Sequence, residues 1–176
     1  MVRVRPWLPM AVALVASAAS LERLSMDDMV QKSTDIVRAH VVNSSESFRG
    51  RTIYTHYTLQ VEERWKGNAV SQMDVAVPGG AVRNIRQTFP GAPVLNQGSE
   101  YVFFLWTSRS GLTLIIGLSQ GLMNVNVDAS GSTVLWRGAA TEPMVDGSGN
   151  SVTDAPFSTS LPTFRTMMRG YGLVAK

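Results

Sequence analysis

Six consecutive apolar residues, Tyr101-Val102-Phe103-Phe104-Leu105-Trp106, constrain this chain more than any other feature. A strand with one face in water alternates apolar and polar side chains. A short run that is apolar throughout predicts a strand covered on both faces. The fold must therefore supply two apolar layers around residues 101–106, which are expected to lie at the centre of the core.

Elsewhere the pattern alternates. In residues 36–43, Val37, Ala39 and Val41 share one face while Arg38 and His40 take the other. In residues 53–65, Tyr57, Leu59 and Val61 alternate with His56, Thr58, Gln60 and Glu62. Both read as half-buried strands. The polar residues 44–51 between them contain Gly50 and predict a hairpin connection. Met73, Val75 and Val77 define a third strand that stops at Pro78-Gly79-Gly80. Residues 112–116, 122–127 and 133–136 read as further strands, with turns at Ser110-Gly111 and over residues 128–132. Residues 142–156 are polar and glycine-rich, as expected of a loop.

Two short helices flank this region. Over residues 25–32, Ser25 is placed to cap, Asp27 and Asp28 complement the positive end of the dipole, and Met26, Met29 and Val30 form a stripe. A second helix opens at Ser160-Leu161-Pro162 and runs through Arg169, with Gly170 past its end. The expected architecture is mainly β: a meander of six or seven strands closed into a small barrel, with a short helix near each end. Closure removes exposed sheet edges. A two-sheet sandwich is the alternative.

Residues 1–18 read as a cleavable export signal. Arg3 and Arg5 precede an apolar run over residues 7–16, and Ala16-Ser17-Ala18 places cleavage before Ala19. The run is about half the roughly twenty residues a membrane-crossing helix needs, so no stable membrane anchor is expected after cleavage. The protein is expected to be secreted or periplasmic, with residues 19–176 forming one β-barrel domain that includes the C-terminal loop and helix. Cleavage would also change the charge. The 16 Lys+Arg and 13 Asp+Glu of the full chain become 14 and 13 once Arg3 and Arg5 are removed, a net of +1. Without a basic, aromatic-studded face, nucleic acid is not an expected partner. The chain has no cysteine, so stability outside the cell rests on the core rather than on disulfides.

The strand bearing Val37, Ala39 and Val41, then Tyr57-Thr58-Leu59-Gln60-Val61, Trp65-Lys66-Gly67 and Gln97-Gly98-Ser99-Glu100-Tyr101-Val102-Phe103-Phe104-Leu105 resemble, in that order, the netrin-like barrel of tissue inhibitors of metalloproteinases. The chain is similar as well to uncharacterised secreted bacterial proteins with Lys-Gly, Pro-Gly-Gly and Gly-x-x-Tyr-x-x-Phe-Leu landmarks. The resemblance covers residues 36–127 and implies an OB-like barrel. In those inhibitors an N-terminal cysteine chelates the protease zinc. This chain has no cysteine, so no functional residue is carried across.

Catalytic patterns find little support. Gly117-Leu118-Ser119-Gln120-Gly121 matches the G-x-S-x-G of serine hydrolases, but both histidines, His40 and His56, lie upstream, against the order of that fold. The two glycines instead predict a bend or bulge between strands. His40 and His56, with Glu62 as a third donor, lack the spacing of a zinc site. Asp146-Gly147-Ser148-Gly149-Asn150 with Asp154 places Ser151 and Phe157 where a calcium loop requires glycine and glutamate. Glu62 and Glu63, adjacent on a strand, point to opposite faces and cannot flank one glycosidic bond. Neither a cofactor nor a metal is implied.

What remains is the stretch 78–98, with Pro90, Gly91, Pro93 and Gly98. A loop this long in a compact domain is either a binding element or contains a strand that closes the barrel. Arg83 and Arg86 are suited to a carboxylate on a partner, and Phe89 to an apolar contact. The expected function is an exported, non-enzymatic module that binds a protein or cell-envelope partner through Arg83, Arg86 and Phe89. A secreted protease regulator, suggested by the resemblance, and an envelope hydrolase using Ser119 are the alternatives.

Overall fold

The computed structural model describes residues 20–176; the expected signal and its cleavage site lie outside them. In chain order the elements are β1 (Leu21–Glu22), α1 (Met26–Lys32), β2 (Asp35–Arg49), β3 (Thr52–Lys66), β4 (Gln72–Pro78), β5 (Gly80–Val82), β6 (Ile85–Gln87), β7 (Glu100–Thr107), β8 (Thr113–Ile115), β9 (Leu122–Val127), β10 (Thr133–Arg137), β11 (Met144–Val145), β12 (Ser151–Val152), β13 (Phe157–Ser160) and α2 (Leu161–Gly170).

The strands form a small closed barrel. The main sheet runs β13-β10-β9-β7-β2-β3-β4-β8, and β8 returns to pair with β7, so β2, β3, β4, β8 and β7 make a five-stranded ring. The link from β4 to β8 is parallel, at Ala76 and Leu114; the other pairings in the ring are antiparallel. This is the small OB-like barrel expected, with its strands in Greek-key order rather than as a simple meander. A meander would place β4 beside the next long strand. Here the one-residue parallel bridge from β8 takes that edge, and β7 crosses to β2.

Strand β7 is the hub. One edge pairs with β2; the other is divided, with Tyr101–Phe103 facing β9 and Leu105–Thr107 facing β8. Its odd residues Tyr101, Phe103 and Leu105 fill the barrel with Val37, Ala39, Val41 and Leu59. Val102 and Phe104 face outward into a second core with Met123, Leu135 and the helices. The run is thus covered on both faces as far as Leu105. Trp106 departs from that expectation, remaining 45% exposed.

Both helices obey local capping chemistry. Ser25 and Asp28 form a reciprocal capping box at α1, and Ser160 caps α2 through the Thr163 amide. The second core locks α2 in place: Phe164 meets Trp65 edge-on at 5.1 Å and Phe104 at 6.2 Å. Lys66 Nζ donates to the Val30 and Gln31 carbonyls, 2.8 and 3.2 Å away, closing the C-terminal end of α1.

Two stretches expected as loops contain strands. Residues 44–49 continue β2, leaving only Gly50 and Arg51 between it and β3. A register shift between Val41 and Asn43 carries the ladder past the barrel, so this polar stretch pairs despite its composition. Within residues 142–156, β11 and β12 form a hairpin that β1 joins in parallel.

Candidate functional site

Beyond the barrel, β2 and β3 project as a two-stranded ribbon. Opposed residues share a face, so the pairs Ser44/Tyr57, Glu46/Thr55 and Phe48/Ile53 extend the barrel's inner surface. That surface changes from apolar to polar at Ser44. Against it lies the stretch once expected to be irregular, which holds the β5–β6 hairpin, paired Gly80/Gln87, Ala81/Arg86 and Val82/Ile85. The hairpin does not close the barrel; β8 does.

The approach of hairpin and ribbon demands glycine. A side chain at Gly80 would begin 2.8 Å from Thr55 Oγ1 and 3.1 Å from Glu46 Cγ, at a φ of +131°. Gln87 fastens the other side: its Oε1 accepts from the Ile53 amide at 2.7 Å, and its Nε2 donates to the Arg51 carbonyl at 2.9 Å. Farther along, the Tyr57 and Tyr101 hydroxyls accept from the Leu95 and Asn96 amides. Leu95 is thereby seated in the barrel core. Burial pushes the Tyr57 hydroxyl up from its ordinary pKa, although the Leu95 amide acts in the opposite direction.

Between ribbon and hairpin runs a cleft of about 540 Å³ at the barrel mouth. One wall carries Ser44, Glu46 and Thr55; the other carries Arg86, Phe89 and Val94. Next to it, sharing Val77, Pro78 and Pro93, is a narrow slot of about 100 Å³ that also takes in Tyr54, Leu114 and Leu118. The lining thus holds one acidic and one basic side chain, Glu46 and Arg86, among apolar residues such as Val77, Pro78 and Leu95. Such a mixed lining suits orientation of a ligand by a few polar contacts.

Two of the three residues singled out in the sequence, Arg86 and Phe89, line this cleft. Arg83 does not: it sits exposed at the β5–β6 turn with φ +54°. Sequence reasoning missed Glu46, Thr55 and Ser44. Their signal was the i, i+2 alternation Ser44, Glu46, Phe48, which resumes one residue out of phase after Val41.

The other motifs stay apart. His40 lies opposite Gln60 and His56 opposite Ser45, so the imidazoles do not converge. His56 Nδ1 is 2.7 Å from Asp74, while His40 Nε2 is 3.7 Å from Glu100. Among the described residues no three metal-ligating side chains cluster. Glu62 is exposed and Glu63 buried; Glu62 is the extra residue at the register shift between the pairs Arg38/Glu63 and Ala39/Val61. Ser119 lies in a 3-10 turn over Leu118–Gly121, between β8 and β9 rather than on a strand-to-helix elbow. Its amide donates to the Gly91 carbonyl at 3.2 Å. Asp146 accepts from the Ser148 and Asn150 amides, both at 2.9 Å, and from the Asn150 side chain, closing the β11–β12 turn. The Asn150 bonds hold its carboxyl below the usual range.

Among the described residues no helix is long and apolar enough to cross a membrane. Comparison with known protein families, with curated proteins and with solved structures finds no match.

Proposed function

We propose that this protein is an exported, non-enzymatic binding module whose partner enters the cleft between the β2–β3 ribbon and the β5–β6 hairpin. One observation carries the reading: Glu46 and Arg86 both line a cleft of about 540 Å³ that shares Val77, Pro78 and Pro93 with an apolar slot. Opposed charges fix a ligand's orientation and an apolar recess supplies affinity. The cleft walls are tied down by Gln87 and two tyrosine hydroxyls, so little ordering cost is left for the moment of binding.

The test is cross-linked capture from the native envelope fraction with three baits: the unaltered protein, Arg86→Ala/Phe89→Ala, and Arg83→Ala. A partner retained by Arg83→Ala and lost by the double variant places the site in the cleft. Equal recovery by all three removes the cleft from consideration.

A further inference from the structure

The free edge of β2 adds a specific chemistry to the cleft. Ile53 sends its carbonyl to the Gly79 amide and its own N–H to Gln87, both away from β2. Its cross-strand partner Phe48 is therefore in a non-hydrogen-bonded pair, with N–H and C=O turned to the opposite edge. By alternation Glu46 and Ser44 turn theirs the same way. Strand β7 covers β2 only from Asp35 to His40, and the Gly98 and Ser99 backbone covers Val41. Past that point three amides and three carbonyls, on Ser44, Glu46 and Phe48, form a row beside the cleft that finds no partner among the described residues.

Protein edges of this kind are usually blunted by lysine, proline, a bulge, an inward-pointing charge or a covering element; here the register shift after Val41 and the Glu46 carboxylate are present. Residues 43–48 (NSSESF) contain no lysine or proline, and the side chains of Ser44 and Glu46 lie on the cleft wall. We infer that the partner is an extended peptide segment of another protein, which adds to β2 as a further strand. Its alternate side chains then enter the cleft, with a basic residue against Glu46 and an acidic one against Arg86. This inference rests on the cleft being the binding site. A second copy of the chain is disfavoured as occupant by charge. Antiparallel pairing of two β2 edges that uses all three free residues centres on Glu46 and sets it against its own copy.

The probe is a random linear dodecapeptide library panned on the purified protein. The best binder is then synthesised with single N-methyl groups at each position in turn. Strand addition requires a period of two: methylation at alternate positions weakens binding about tenfold or more, and methylation between them has little effect. Glu46→Pro removes one edge donor at a place where an edge strand tolerates proline, and should weaken the same peptide comparably. A peptide that loses affinity for Arg86→Ala but shows no alternation on N-methylation overturns strand addition while leaving the cleft as the site. Selection of no cleft-dependent peptide overturns it as well. A concentration-dependent dimer abolished by Glu46→Pro would assign the edge to a second copy instead.

Discussion

The Arg165 guanidinium grips both oxygens of the buried Glu63 carboxylate, with Nε and Nη2 each 2.7 Å from an oxygen. The pair joins α2 to β3 across 102 residues of sequence. Arg38 approaches the same carboxylate at 3.4 Å and reaches Glu100 at 3.1 Å. Glu63 raises the pKa of Arg165 above its ordinary value.

Arg165→Ala therefore leaves a buried carboxylate with Arg38 as its remaining cation. Removing one partner of a buried pair costs about 3–5 kcal/mol, and the 38% exposure of the Arg165 side chain reduces this to roughly 1–2 kcal/mol. Urea denaturation should show that loss. Arg165→Lys should lose less, because it keeps the charge but not the fork.

Gly121→Ala should be far more damaging than any change at Ser119. An added methyl would sit 2.5 Å from the Ile116 carbonyl, in the turn between β8 and β9, and 3.1 Å from that of Phe104 in β7, both backbone atoms. Forcing apart a packed backbone costs about 3 kcal/mol or more, whereas Ser119→Ala should stay within about 0.5 kcal/mol of the unaltered protein. Thermal denaturation of the two variants side by side checks the contrast. Equal melting temperatures would contradict it.

Asp154 should supply acid sensitivity. Burial alone would raise its pKa, but hydrogen bonds from Arg137 and the Ala140 amide outweigh burial and lower it. With the folded pKa below the unfolded one, its stabilisation is complete above the unfolded carboxylate range. It is lost as pH falls through the folded value. Asp154→Asn should flatten the fall of stability on acidification, measured as urea midpoints across an acidic pH series.

The tyrosine anchors should govern the cleft wall. In Tyr57→Phe/Tyr101→Phe the Leu95 and Asn96 amides lose their acceptors. Hydrogen exchange at those two amides should accelerate about tenfold, the equivalent of a hydrogen bond worth roughly 1.4 kcal/mol. Amides of β7, whose ladder is untouched, should keep their protection.

Much of this architecture could be read from the chain, because it depends on local pattern. The apolar β7 run, the alternation of Val37, Ala39 and Val41, and the Ser25 and Ser160 caps each report their surroundings within a few residues. The β5–β6 hairpin could not be read: three-residue strands give no period, and Arg83 occupies a positive-φ turn position that glycine usually marks. The ribbon was hidden because residues 44–48 pair with β3 through the backbone of Ser45 and Ser47 while their polar side chains suggest a loop. A repeated turn is legible too, two of its three copies marked by Ser110-Gly111 and residues 128–132. Ser108-Arg109-Ser110-Gly111-Leu112, Asp128-Ala129-Ser130-Gly131-Ser132 and Asp146-Gly147-Ser148-Gly149-Asn150 share one hydrogen-bond pattern, with glycine φ of +78°, +81° and +85°. Of the three candidate binding residues, Arg86 and Phe89 reached the cleft because they follow the turn; Arg83 forms it.

The five-stranded ring cannot close until its last piece arrives. Strand β4 ends at Pro78, yet the strand completing its free edge begins at Thr113. As the chain is made N-terminus first, β2, β3 and β4 must wait, apolar faces open, for some thirty-five residues more. The non-local pairing that makes the barrel also makes its assembly slow. The interval in which a nascent chain of this kind needs shelter is written into the distance between Pro78 and Thr113.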